Sequence, residues 1–235
     1  MKLVIENLNK SFDKKCVLKN INFTFESGKI YGLLGRNGAG KTTFFNCLNE
    51  DLKCDSGEFY LSDGKSDKKI ESSDIGYVLS TPVVPEFLTG REFLKYFIDI
   101  NKGSIKDLKT IDEYFDIVKI DKEDRDKLMK DYSHGMKNKM QMLIYLIASP
   151  NILLLDEPLT SFDVVVAEEM KELLKKRKKD RILIFSTHIM ELALDLCDEI
   201  VVLNKGELLE IKRDELTDKE LKNKIINILK GEEDA

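Results

Sequence analysis

Two short stretches of this 235-residue sequence carry residue types suited to a phosphorylated ligand. The first, residues 35–42, reads GRNGAGKT, a full match to the pattern GxxxxGK[ST] of a phosphate loop. Gly35, Gly38 and Gly40 let the backbone curl until successive N–H groups point inward as an anion nest. Arg36, Asn37 and Ala39 complete that run of amides. A helix starting near Lys41 would aim the positive end of its dipole at the same point. Lys41 would supply a full charge for the β- and γ-phosphates, the Thr42 hydroxyl would be a ligand for Mg²⁺, and Thr43 would donate to the α-phosphate. The second stretch is ILLLDEP, beginning at Ile152. Four apolar residues bury a strand, and two carboxylates emerge at its C-terminal edge, where ligands bind in open parallel sheets. Asp156 is placed to hold Mg²⁺ through water, and Glu157 to orient and polarise an attacking water. Phosphoryl transfer asks mainly for position and charge neutralisation, so one carboxylate at the water suffices.

The elements needed to bring these groups together are legible as patterns. LVI at 3–5, FTF at 23–25 and IYGLL at 30–34 read as strands. The last runs into the glycine loop, and a helix follows from Thr42 with Phe44, Phe45 and Leu48 on one face. Strand, glycine loop and helix form the context a phosphate loop requires. GEFYL at 57–61 and IGYVL at 75–79 read as further strands, with SDGKSDKK between them as a polar loop. After Pro82 and Pro85, helical periodicity takes over at 91–100, 111–120 and 136–148. Residues 86–149 therefore read as an inserted helical subdomain. Alternating strands and helices then resume through ILLL, a helix around Met170 and Leu174, RILIFS, and a helix presenting Leu192 and Leu196. EIVVL and GELLE close the pattern through an Asn204-Lys205-Gly206 turn.

Composition limits the possible roles. The net charge of −5 is the opposite of a broad nucleic-acid surface, so no nucleic-acid partner is expected. The lysine run at 175–181 reads as a solvated helix end. Cys16, Cys47, Cys54 and Cys197 show neither CxxC nor zinc spacing and read as reduced thiols of a cytosolic protein. The N-terminus turns polar at once, unlike a signal peptide. No apolar run has the length to cross a bilayer, so any membrane role requires a partner.

At this point the chain resembles the nucleotide-binding domains of ABC transporters over nearly its whole length. YSHGMKNKMQ at 132–141 is similar to the family signature LSGGQ and its basic continuation. It lies upstream of the acidic strand, as in the family. The resemblance implies that Ser133 and Gly135 donate to the γ-phosphate held by an opposite subunit. PLTSFD resembles the family's D-loop and puts Asp163 at the subunit boundary. IFSTHIM resembles the switch segment and puts His188 near the γ-phosphate, able to hold Glu157. Phe12 falls where the family places an aromatic that stacks on adenine; a core position is the alternative reading of the same residue. The implied fold is α/β, a P-loop NTPase core with a mixed, mainly parallel sheet, an N-terminal antiparallel β part and an inserted helical subdomain. One nucleotide-binding domain spans 1–235, with catalytic core at 1–85 and 150–212 and a charged tail at 213–235. ATP and Mg²⁺ are the implied cofactors. The implied partners are a transmembrane permease subunit and a second copy, or a similar chain, in the ATP state. The implied location is cytoplasmic, peripheral on the inner face of the cell membrane.

Three positions depart from the family pattern. Ser80 stands where a glutamine usually meets Mg²⁺ and the attacking water; a hydroxyl there reaches the metal through a moved loop or a bridging water. Gln141 is the sole glutamine of the chain. His134 replaces the first signature glycine, and Met136 and Tyr132 replace the usual glutamine and leucine. The segment from Ser80 to Phe87 reads either as an apolar contact surface for the permease or as a buried loop anchor. Two other roles share the main motifs, an ABC ATPase acting on nucleic acid or ribosomes and a slow ATP-holding regulatory module. The missing coiled-coil insertion argues against the first, and Glu157 with His188 against the second.

Overall fold

Backbone pairing, more than side-chain pattern, sets the start of the chain. In the computed structural model, which describes residues 1–103, 105, 107–159, 162–212 and 217–231, strands β1 (Lys2–Phe12) and β2 (Lys15–Glu26) form one long antiparallel hairpin. Leu3, Ile5 and Leu8 of β1 and Leu18, Ile21 and Phe25 of β2 are buried. The spacing breaks between Ile5 and Leu8 because the register shifts there, as an extra residue in one strand demands. Asparagine side chains complete the ladder at that break. Asn22 Oδ1 accepts from the Asn7 amide at 2.9 Å and Asn9 Oδ1 from the Asn20 amide at 2.8 Å. β4 (Ser56–Ser62) pairs with the other edge of β1, and β5 (Asp67–Lys69) with β4, giving the antiparallel order β2-β1-β4-β5. β5 lies in the stretch expected to be a polar loop. All three of its residues are exposed, so no hydrophobic alternation marks it.

The second sheet has six strands in the order β10-β9-β3-β8-β7-β6. Every residue of β3 (Ile30–Leu34), β7 (Ile152–Asp156) and β8 (Ile182–Thr187) is buried, as in strands covered on both faces. β3 pairs in parallel with β8 and with β9 (Glu199–Asn204), and β7 in parallel with β8. β10 (Glu207–Ile211) returns antiparallel to β9 through Lys205 and Gly206, whose φ angles of 49° and 87° suit a tight hairpin turn. β6 (Ile75–Val78) is the other edge. The fold is the expected α/β arrangement, a mixed and mostly parallel sheet beside an antiparallel N-terminal one.

Contacts divide the chain into two units, Met1–Tyr77 with Asn151–Glu157 and Lys175–Ala235, and Val78–Pro150 with Pro158–Leu174. In the first, α1 (Lys41–Leu48) buries Phe44, Phe45 and Leu48, the face its periodicity predicts. The second unit is helical. α2 (Gly90–Asn101) and α3 (Ile111–Ile117) each begin with a capping box, Thr89 with Glu92 and Thr110 with Glu113. α4 (His134–Ala148) starts at the Ser133 cap and stops at Ser149, whose φ is 59°. Leu94, Phe115, Tyr132, Met140 and Leu143 form its core. The helix expected over 111–120 ends three residues early. Lys119 turns left-handed at φ 50° and the Ile120 amide bonds back to Phe115 O at 3.2 Å. Val118 and Ile120 are buried beyond the helix end, which is why the apolar pattern runs on. α5 (Val164–Arg177), α6 (Met190–Leu196) and α7 (Asp218–Lys230) complete the chain. Residues 213–216 and 232–235 of the charged tail, and Thr160 and Ser161 of PLTSFD, lie outside the described residues. Among the described residues no helix is long and apolar enough to cross a membrane.

Candidate functional site

The fully apolar strand β3 delivers the chain to Gly35, where the loop begins. Arg36 O accepts from the Ala39 amide at 3.0 Å, closing a turn whose third residue, Gly38, has φ 78°; only a residue tolerant of positive φ fits there. Gly40 follows at φ 109° as the N-cap of α1. A Cβ on Gly40 would lie 2.8 Å from Val17 Cγ1, so both conformation and space exclude a side chain. Lys41 is buried, its ammonium donating to Gly35 O at 2.8 Å and to Arg36 O at 3.4 Å. Burial pushes its pKa below the ordinary lysine value, and the charges of Glu157 and Asp156 offset part of that shift. A lysine held this way bends back along the loop with its charge under-solvated, ready for an anion.

β7 brings the carboxylates to the same place. Thr42 Oγ1 donates to Asp156 Oδ2 at 2.9 Å, and the Tyr77 hydroxyl approaches that oxygen at 3.5 Å. The Ser186 hydroxyl donates to the other oxygen, Asp156 Oδ1. Asp156 is 5% exposed, so its orientation is set by these three hydroxyls. Tyr77 is packed edge-on against Phe45 of α1, with ring centroids 5.8 Å apart. Burial, then the Asp156 charge, raise its pKa and keep the phenol protonated as a donor.

Glu157 leaves the strand with φ 48°, a conformation that is uncommon for a non-glycine residue and concentrates at functional sites. The bend is anchored by its own amide, which donates to Ser186 O at 3.2 Å and Ser186 Oγ at 3.3 Å. His188, just past β8, places Nδ1 2.8 Å from Glu157 Oε1. An ionised carboxylate only accepts, so Nδ1 carries the proton of this pair. The residues Lys41, Thr42, Asp156, Glu157 and His188, scattered from position 41 to position 188 of the sequence, thus meet at the C-terminal ends of β3, β7 and β8.

The donor set fits Mg²⁺. A hydroxyl and a carboxylate already share a hydrogen bond at the loop, both are hard oxygen ligands, and this ion typically takes one or two protein oxygens plus phosphates. Among the described residues no cluster of three or more acidic, histidine or cysteine side chains could hold a metal by itself.

The remaining expected residues lie on other elements. Phe12 lies at the tip of the β1–β2 hairpin, 44% exposed, with the Lys10 ammonium 5.3 Å from its ring centre. It is not a core residue. In the second unit, Ser133 caps α4 by accepting from the Met136 amide at 3.2 Å, and His134 and Gly135 are its first helical residues. Asp163 caps α5, with Oδ1 accepting from the amides of Val165 and Val166 at 3.0 Å each. Ser80 is exposed on the loop after β6.

The family model described as ABC transporter matches residues 18–160, well over half of the chain. The chain belongs to the ABC transporter family. A curated relative, the uncharacterized ABC transporter ATP-binding protein YhcH of Bacillus subtilis (strain 168), is 31% identical over 90% of this chain and 70% of its own length. The bacitracin transport ATP-binding protein BcrA of Enterococcus faecalis is 32% identical over 87% of this chain and 67% of its own. A solved ATP-binding subunit of an ABC transporter superposes with a TM-score of 0.79 at 20% identity, covering 96% of this chain and all of that one. A dimeric ATP-binding cassette bound to ADP and phosphate after hydrolysis superposes with a TM-score of 0.75 at 21% identity, over 89% of this chain and 98% of that one.

Within this ABC cassette the departures at 132, 134 and 136 have local explanations. His134 sits at a helical position and not among the positive-φ residues, so no glycine is required there. Tyr132 is buried, donates to Asp124 O at 2.9 Å and fills the space beside Gly90, where a Cβ would lie 2.2 Å from its hydroxyl. Met136 packs against the helical core. Two residues of the site carried no readable signal. Tyr77 and Ser186 looked like ordinary strand positions, and only the pairing of β8 with β7, which sets Ser186 opposite Asp156, exposes the serine's role.

Proposed function

We propose that this chain binds and hydrolyses ATP with Mg²⁺ and powers solute movement through a separate transmembrane permease by ATP-driven dimerisation. The observation that carries the reading is the Thr42–Asp156 hydrogen bond, which ties the phosphate loop to the acidic strand within reach of Lys41. The loop amides of residues 35–43 and the Lys41 ammonium cradle the phosphates. Thr42 and Asp156 hold the metal, which when bound neutralises charge on the β- and γ-phosphates. Glu157 orients the attacking water, and the His188 contact fixes the carboxylate's rotamer. Phe12, exposed beside Lys10, stacks on the adenine.

Two copies associate head to tail, each γ-phosphate lying between the loop of one subunit and Ser133 with Gly135 of the other, and Asp163 lies at the boundary. The twofold arrangement forms both sites together, and loss of the γ-phosphate opens it. Ser80 takes the position of the metal-facing glutamine. The exposed Val83 and Phe87 support a permease contact on that loop, so the chain works in the cytoplasm against the inner face of the membrane. The name of the bacitracin transport relative supports the transport role. The test is Glu157→Gln with ATP. The expected result is a stable dimer by size exclusion with little phosphate release; a persistent monomer with undiminished hydrolysis overturns the reading. Co-purification of a membrane protein from detergent tests the permease.

A further inference from the structure

The one glutamine of the chain has a use that none of the motifs assigns. Gln141 lies in the second turn of α4 and is 4% exposed. Its side-chain oxygen accepts from the Val83 amide at 3.0 Å, and its side-chain nitrogen donates to Leu79 O at 3.4 Å. One amide therefore bridges the two sides of the short loop that contains Ser80, Thr81 and Pro82. One helical turn earlier, Lys137 Nζ donates to Glu86 Oε1 at 2.5 Å. Positions 137 and 141 share a helix face, so one side of α4 grips the segment at both ends. Two backbone bonds hold the far end from a different direction, Lys130 N to Glu86 O at 3.1 Å and Met129 N to Leu88 O at 2.8 Å.

Pro82 and Pro85 have no N–H, and Val83 and Phe87 are 71% and 79% exposed. Val84 and Leu88 pack against the helical core, but the exposed Val83 and Phe87 do not, and side-chain hydrogen bonds from α4 hold the segment on either side of Val84. Gln141 suits the task because it is a donor and an acceptor in one group. A carboxylate would lack the donor and an aliphatic side chain both.

We infer that Gln141 is a positioning residue which, with the Lys137–Glu86 pair, makes residues 79–86 and the helix begun at Ser133 move as one body. A displacement at the Ser133 end of α4 is then transmitted to the exposed Val83–Phe87 surface without passing through the sheet. The same link runs backwards, so a load on that surface reorients Ser133. This rests on the proposed ATPase reading for its trigger, but the clasp itself does not need nucleotide.

The test is hydrogen exchange on the full chain, native and Gln141→Met, a change that keeps volume and removes both bonds. Without nucleotide, the Val83 amide should exchange about tenfold or more faster in the variant. In a Glu157→Gln background with Mg·ATP, the native residue 141 should give nucleotide-dependent changes in both 79–88 and 133–141. In Gln141→Met the change at 133–141 should persist and that at 79–88 should be lost, which a merely structural role would not do. Unaltered Val83 exchange, or an undiminished response of 79–88 in the variant, overturns the inference. Lys137→Met, which leaves the buried amide in place, supplies the second variant if Gln141→Met does not fold; it must weaken the response of 79–88, and an unchanged response overturns the claim. If the native chain binds no nucleotide, the proposed function fails while the Val83 comparison still decides the clasp.

Discussion

Replacing Ser186 by alanine should weaken this protein in two separable ways. Ser186 is fully buried, and its hydroxyl is the donor to Asp156 Oδ1. Alanine leaves that oxygen of a 5%-exposed carboxylate facing a methyl group. Asp156 Oδ2 keeps Thr42 and Tyr77, and the Glu157 amide loses its 3.3 Å contact with Ser186 Oγ but keeps Ser186 O, so the main loss is the hydrogen bond to the charged carboxylate, about 1.5–3 kcal/mol. For a chain of this size about 2–4 °C accompanies each kcal/mol, so the melting temperature without nucleotide should fall by about 3–12 °C. The second effect is on the metal. With one oxygen unheld, the carboxylate is free to rotate, and loss of such a supporting partner lowers metal affinity or activity by about 10–100-fold. The assay is a melting curve together with a Mg²⁺ titration of phosphate release. Ser186→Thr keeps the hydroxyl while adding a methyl to a full space, so it should lower the melting temperature yet keep the native Mg²⁺ midpoint. A Ser186→Ala protein with a melting temperature within about 1 °C of native and an unshifted Mg²⁺ midpoint would refute the reasoning.

Lys41→Met should abolish Mg·ATP binding by calorimetry without lowering the melting temperature. Burial depresses the Lys41 pKa, so the charged form destabilises the fold at every pH below its folded pKa, and this penalty fades as pH rises towards the ordinary lysine value. Gly40→Ala should lower both stability and nucleotide affinity, because φ 109° and the 2.8 Å approach to Val17 add about 1–3 kcal/mol of strain at the loop; native melting and binding would refute this. Asp74 supplies an acid-dependent term. Burial alone would raise its pKa, but Lys68, the Glu71 amide and Asn151 together outweigh that and hold it below the usual carboxylate value. Its contribution is therefore present above the ordinary pKa and lost as pH falls through the lowered one. Asp74→Asn should destabilise the chain near neutrality and progressively less in acid, as denaturant melts at several pH values would report.

The strands read at 30–34, 152–155 and 181–186, the glycine loop and the carboxylate pair were all legible in the linear sequence, the last strand to within one residue at each end. Continuous apolar runs ending at special residues encode their own boundaries, and glycines at positive φ announce themselves by type. Legibility failed where the cause was non-local. β5 is a strand solely because β4 offers it a ladder, and the hairpin extends past its apolar residues because asparagine side chains bridge its bulge. Position along the chain gave no hint that Ser186 and Tyr77 hold Asp156, since their partner lies 30 and 79 residues away. Nor could it show Gln141 clasping Val83 across 58 residues. Residue type and short-range spacing determined which chemistry this protein carries. Tertiary structure decided which hydroxyls and amides orient it, because a hydrogen-bond partner is chosen by proximity in space, and the sheet register and helix packing that create that proximity are properties of the whole chain.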